Sequence, residues 1–265
     1  MFDLRGKTVL LTGASTGLGP FIARRLHRAG ARFVLSARNE AALDQLAKEV
    51  GDARVVVADL GRVGEPERLA REAGAVDVLV SNAGMPASGR LTSYSVEEID
   101  RALAVNLRAG IVLARELAPG MVGRKSGHMV FMGSAAGKIP AAGITLYNAT
   151  KFGIRGFALA LREELVKAGV GVSVISPTFV SHAGMWAETG LKANPIAGEV
   201  TPERVAEAIF TAITKNKAEI DVVGLPLRAS LKVLAVAPGL FMAVARSSGS
   251  NQPDDAQIER QHHKR

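Results

Sequence analysis

The stretch Thr8-Val9-Leu10-Leu11-Thr12-Gly13-Ala14-Ser15-Thr16-Gly17-Leu18-Gly19-Pro20 passes from an apolar run through a glycine-rich turn into a helical pattern over residues 18–29. An apolar run of strand length, then glycines, then an amphipathic helix is how a βαβ unit begins. Three glycines permit a tight turn and a close approach of backbone to a bound group. The helix start adds free amide donors, and Pro20 suits its first turn. The alternation continues outward from there. Residues 32–36, 54–58, 77–81, 128–132, 170–175 and 219–223 read as strands, and residues 40–50, 65–73, 95–118, 147–168 and 202–215 as helices. Ser95 and Glu98 have capping-box spacing, and Pro119-Gly120 is expected to stop the fourth helix. Seven apolar strands separated by helices imply a parallel sheet covered on both faces. The expected fold is therefore α/β, a single doubly wound Rossmann-type domain over residues 1–224. Its ligands should bind beyond the carboxyl ends of the strands.

Composition narrows the function classes. With 265 residues, 48% of them hydrophobic, the chain can bury a sizeable core. It has no cysteine, so disulfides and thiolate chemistry are excluded, and its five histidines show no ligand spacing, so no metal is expected. The start, Met1-Phe2-Asp3-Leu4-Arg5-Gly6-Lys7, lacks an apolar core of signal-peptide length, which makes a cytoplasmic location the expectation. The formal charge of +8 is spread over several helical segments without aromatic platforms or a helix-turn-helix signal, so no nucleic-acid partner is expected. Residues 225–246 are mostly apolar, but Arg228 and Lys232 share a helical face and Pro238-Gly239 breaks the run, which argues against a membrane span. Three readings stay open for this extension: a buried or lid helix, a basic amphipathic segment in peripheral contact with a membrane, or the lining of an apolar substrate entrance. Residues 247–265 are polar and expected to be disordered.

Tyr147 and Lys151 stand four apart at the head of a long helical pattern, so phenol and ammonium share a face. A cation held there would lower the phenol's pKa toward neutrality, as a general acid/base requires. Taken alone, such a pair is also a common solvated or packing pair.

The other motifs decide. Thr12 to Gly19 has the form TGxxxGxG, Asn82-Ala83-Gly84 follows the fourth strand, Asn106 lies in the next helix, Ser134 ends the fifth strand, and Tyr147 with Lys151 completes YxxxK. Ser134 precedes Tyr147 by thirteen residues. Over roughly residues 7–223 the chain resembles the short-chain dehydrogenase/reductase family. The resemblance implies catalytic roles for Ser134, Tyr147, Lys151 and Asn106, the last as a proton-relay residue acting through a water on Lys151. It also implies a dinucleotide held by Gly13, Ser15, Thr16, Gly17, Leu18, Gly19, Asp59, Leu60, Asn82, Ala83, Gly84, Pro177, Phe179 and Val180, together with Tyr147 and Lys151. Asp59 would meet the adenine amino group, with a helix N-terminal charge as its other reading. At the end of the second strand, Ala37 stands where NAD-preferring Rossmann proteins carry an acid, and Arg38 can pair with a 2′-phosphate. NADP is thus preferred over NAD, unless Arg38 is only a solvated cation.

There is one departure from the family pattern. Where the family has PGxxxT, this chain has Pro177-Thr178-Phe179-Val180-Ser181-His182, so Ser181 or His182 would have to make the carboxamide contact. The reaction implied is reversible hydride transfer between nicotinamide and a carbonyl or secondary alcohol carbon. The resemblance implies that the loop with Phe179, Met185, Trp186 and Leu191 covers the substrate; these residues are either ordinary core contacts or join the apolar extension in suggesting a hydrophobic alcohol or ketone of steroid, retinoid or long-chain acyl type. The lack of a DGG-type ending favours a homodimer over a homotetramer. A catalytically silent NADP-binding regulatory protein is the alternative, opposed by the intact Ser134, Tyr147, Lys151 and Asn106.

Overall fold

Along β1 (Thr8–Thr12) the side chains of Val9 and Leu11 enter one apolar core while Leu10 enters another on the opposite face of the sheet. The same division holds in β4 (Val78–Ser81), with Val78 and Val80 on one side and Leu79 on the other. Strands buried on both faces are the mark of a parallel sheet covered by helices. Each fully buried Leu or Val contributes about 1.5–3 kcal/mol of transfer free energy, so the paired cores drive the architecture. The structure, a computed structural model, describes residues 2–51, 53–247 and 254–261.

The alternating elements are β1, α1 (Gly19–His27), β2 (Arg32–Ala37), α2 (Glu40–Val50), β3 (Ala53–Val57), α3 (Glu65–Ala73), β4, α4 (Val96–Leu103), α5 (Ala109–Gly123), β5 (Gly127–Met132), α6 (Thr145–Leu165) and β6 (Val170–Pro177). There follow β7 (Phe179–Val180), α7 (Gly184–Ala187), β8 (Glu199–Val200), α8 (Pro202–Lys215), β9 (Glu219–Val222), α9 (Leu225–Val236), α10 (Pro238–Ser247) and α11 (Asp255–Gln261). Seven strands form one sheet in the order β3-β2-β1-β4-β5-β6-β9, every neighbouring pair parallel. The order reverses between β1 and β4, and in such sheets the ligand crevice lies beyond the carboxyl ends of the strands at that reversal. The expected seven-stranded Rossmann-type fold is the one observed. A separate pair, β7 with β8, ties down the segment after β6.

Two expectations fail, each for a physical reason. Pro119 does not end its helix; α5 continues to Gly123. Proline removes a donor to the carbonyl four residues back, that of Arg115, and both residues lie on the exposed face of the helix, where solvent can replace the lost bond. Nor is the tail wholly irregular. Residues 255–261 form α11, with Gln261 buried at its end, while residues 248–253 and 262–265 lie outside the described residues. Ser95 does make the expected capping box with Glu98 at the head of α4. Between α4 and α5 the chain takes a π turn over Ala104–Arg108, a feature often found at functional sites.

The apolar extension is two helices broken before Pro238. The inner face of α9 buries Leu227 and Leu231 with Val223, against Ala135 and Ile139 in the loop behind Ser134. Among the described residues no helix is long and apolar enough to cross a membrane.

Candidate active site

Thr12 closes β1 at the switch point, fully buried. Its Oγ1 accepts hydrogen bonds from the amides of Asn82 (3.0 Å) and Ala83 (3.1 Å), and the Asn82 amide nitrogen Nδ2 donates to the Thr12 and Gly13 carbonyls at 3.1 and 3.0 Å. The ends of β1 and β4 are thereby stitched together. A Cβ on Gly13 would lie 2.8 Å from the Cα of Ala83, and its φ of 63° is left-handed, so only glycine lets the loop touch this turn. The amides of Ser15, Thr16, Gly17 and Leu18 meet no acceptor among the described residues. Free amides on a glycine turn entering a helix are what a pyrophosphate takes, so the loop fits a dinucleotide.

At the far end of this crevice Arg38 is exposed before α2, beside no acidic residue of β2. Asp59 is half-buried. Burial pushes its carboxyl up, but the Gly61 amide (3.1 Å), Arg101 (3.3 Å) and the nearby Arg38 outweigh that and hold it below its ordinary value. Both stand at one end of the cleft, with Leu60 buried beneath. Asp59 does not act as a helix N-terminal charge, since α3 begins only at Glu65.

Ser134, Tyr147 and Lys151 do come together. Ser134 follows β5, and its Oγ caps a short 3-10 turn by accepting from the Ala136 amide (3.1 Å). A Cβ on Gly137 would fall 2.6 Å from the Lys151 carbonyl, so the turn can lie against α6 only with glycine there. Asn148, 8% exposed, completes the attachment. Its Nδ2 donates to Ala136 O (2.6 Å) and Ile139 O (3.0 Å), and its Oδ1 accepts from the Ala141 amide (3.0 Å). Tyr147 is thereby brought close enough to Ser134 for the serine hydroxyl to favour the charged phenolate.

The electrostatics differ from the sequence expectation. Tyr147 is half-buried by surface area, yet its hydroxyl lies deep among protein atoms, and burial, opposed by the nearby Ser134 hydroxyl, leaves the phenol pushed up to about 12. Lys151, only 4% exposed, is pushed down by burial to about 8. Its Nζ sits 5.6 Å from the tyrosine ring centroid and donates to Met132 O at 2.8 Å. Desolvation of both groups in one pocket thus outweighs the expected effect of cation on phenol.

Asn106 is buried, and its side chain clasps Met85, accepting from the amide (2.7 Å) and donating to the carbonyl (3.0 Å). The amide group thus fixes the Asn82-Ala83-Gly84 turn. Pro177 ends β6, and Phe179 stacks on Trp186 at 4.0 Å between ring centroids while Val180 is buried. Ser181 donates its hydroxyl to Val200 O (3.3 Å), and His182 is exposed at a φ of 61°. The serine is therefore already engaged, and the histidine points to no catalytic role. Sequence reasoning missed Thr12, Gly137 and Asn148 as site residues. The signal for Asn148 was available: a short polar residue inside the apolar face of a helix, directly after the tyrosine.

A family model described as short chain dehydrogenase matches residues 7–194. The chain belongs to the short-chain dehydrogenase/reductase family. Among relatives of this dehydrogenase is the ketoacyl reductase HetN of Nostoc sp., 39% identical over 247 residues, covering 90% of this chain and 86% of that protein. A short-chain dehydrogenase from Sphingobium yanoikuyae, solved in complex with NADPH, superimposes with a TM-score of 0.77 at 29% identity, covering 89% of this chain and 95% of that one. A metagenomic short-chain oxidoreductase solved with NADP gives a TM-score of 0.71 at 32% identity, covering 83% and 98%. As a member of this family, the chain is an oxidoreductase.

Proposed function

We propose that this dehydrogenase uses NADP(H) to interconvert a carbonyl and a secondary alcohol on a hydrophobic substrate. The observation that carries the reading is the gathering of Tyr147 and Ser134 beside the buried Lys151, at the carboxyl end of β5 next to a glycine loop with free amides. Gly13, Ser15, Thr16, Gly17, Leu18 and Gly19 would hold the pyrophosphate, Arg38 the 2′-phosphate, Asp59 and Leu60 the adenine, and Asn82, Ala83, Gly84, Pro177, Phe179 and Val180 the nicotinamide half. Two related structures of known NADP or NADPH content support that cofactor. Once bound, the nicotinamide supplies or takes up the hydride.

The chain's own residues handle the proton. In reduction the neutral Tyr147 phenol donates its proton to the substrate oxygen, and Ser134 Oγ, which receives the Ala136 amide, donates its own hydrogen to the same oxygen. Lys151 has ammonium donors beyond the one on Met132 O, and these would orient the ribose. Met85 takes one donor and one acceptor of the Asn106 side chain, and the π turn at Asn106 leaves its backbone as a second route for a proton relay. The relative named ketoacyl reductase favours the long-chain acyl member of the steroid, retinoid and acyl group. Intact catalytic residues disfavour the silent regulatory alternative. The outer face of α9 and α10 is proposed to rest on an anionic membrane surface, and the oligomer to be a homodimer.

The test is NADPH oxidation with ketoacyl thioesters and apolar ketones, run in parallel with NADH. Tyr147→Phe should bind NADPH like the parent and lose at least about a hundredfold in turnover. Near-parental turnover in that variant would sink the assignment.

A further inference from the structure

The segment that covers the crevice is held down by the C-terminal helix. Gly184, at the head of α7, lies on the nucleotide loop: a Cβ on Gly17 would come within 3.2 Å of the Gly184 Cα. Met185 reaches the opposite wall, its Cε 3.6 Å from a Cβ placed on Gly84. The first turn of α7 therefore touches both elements that would receive the dinucleotide. On the side away from β7 and β8 it is held by α11. Gln261, 5% exposed, donates from Nε2 to Met185 O (3.1 Å) and accepts on Oε1 from the buried Ser88 hydroxyl (2.6 Å) in the loop after β4. Gln257 donates to the same Ser88 oxygen at 3.1 Å, and Arg260 donates to the carbonyl of Thr189, just beyond α7. One short helix thus bridges the two loops that form the walls of the cleft.

A helix of seven residues is not stable in water by itself, so the order of α11 depends on these contacts, and their loss would leave α7 held only from the side of β7 and β8, by the Phe179 stack and the Trp186 Nε1 bond to Glu199 (3.1 Å). We propose that α11 is a latch that closes α7 over the nucleotide loop and must release for the dinucleotide to enter, with Gln261 and Arg260 as its positioning residues. The proposal rests on the dinucleotide reading given above. Trp186, the single tryptophan of the chain, sits in α7, 8% exposed and stacked on Phe179, and reports on the latch without any cofactor.

The experiment compares the full chain with the Gln261→Ala/Arg260→Ala double variant and with a chain ending at Ser247, circular dichroism verifying the fold of each. In the absence of cofactor, both altered forms should show red-shifted Trp186 emission and stronger acrylamide quenching. Their apparent NADPH affinity should rise by roughly tenfold, because the competent open state no longer has to be reached against the latch. Arg260→Lys, which keeps a donor for Thr189 O, should behave as the parent. Unchanged Trp186 emission and quenching in the folded double variant would overturn the latch. Altered emission with unchanged NADPH affinity would overturn its role as a gate. Failure of every form, the parent included, to bind NADPH would overturn the dinucleotide reading and the gate with it.

Discussion

Lys151 is a cation whose burial disfavours its charge, lowering it from an ordinary 10.5 to about 8. Between those values the unfolded chain holds a proton that the folded chain has released, so stability rises with pH across the window and the burial penalty is fully present below about pH 8. Tyr147 titrates in the opposite sense, the folded chain keeping the proton from 10.0 to about 12, so the clean interval is pH 8 to 10. In urea titrations of the ligand-free protein, stability should climb by up to about 1.4 kcal/mol per pH unit over that interval relative to Lys151→Met. A parallel pH dependence in the two proteins would refute the assigned depression. The meeting of Ser134, Tyr147 and Lys151 was expected from the family resemblance, whose four-residue and thirteen-residue spacings can be read in one dimension. The direction of the tyrosine's shift was not. It depends on how much solvent each group loses, and that is set by side chains distant in sequence.

Among the elements, α6 presents Tyr147 and Lys151 to the crevice, while the loop carrying Ser134 has to be attached to it. Asn148 makes that attachment through three hydrogen bonds, and α9 supports the loop from behind. Asn148→Ala should cost about 1–3 kcal/mol of stability by leaving buried backbone groups unpaired. Because misplacing a catalytic group by an ångström is expensive, kcat should fall by about 10–100-fold while NADPH binding changes little. A loss of stability with kcat intact would show that the residue only holds the fold. Strand and helix positions were readable from periodicity, since tertiary structure here agrees with local pattern. The readings that failed concern Pro119 and residues 255–261, where the outcome turns on which carbonyl faces water and on what a polar helix finds to bond with across the molecule.

At the scale of the whole molecule, α9 and α10 expose Leu225, Val233, Val236 and Val244 beside Arg228, Lys232 and Arg246. From residue 222 to 253 the sequence has no acidic residue, so this face is apolar and positive together. Each such cation is worth about 1 kcal/mol near an anionic leaflet. The full chain should co-sediment with phosphatidylglycerol vesicles and not with phosphatidylcholine vesicles, less so in high salt, and Leu225→Asp with Val236→Asp should abolish the effect. Equal binding to both lipids, or to neither, would reject the membrane reading. Elsewhere on the surface, β9 forms one rim of the sheet. It is four residues long, and its Glu219 and Asp221 are clamped by Lys138 at 3.0 and 2.6 Å, with Arg155 also on Glu219. A stranger's backbone arriving at that rim finds few groups to pair with and charges already neutralised from within, so the strand that completes the sheet also discourages its growth into aggregates.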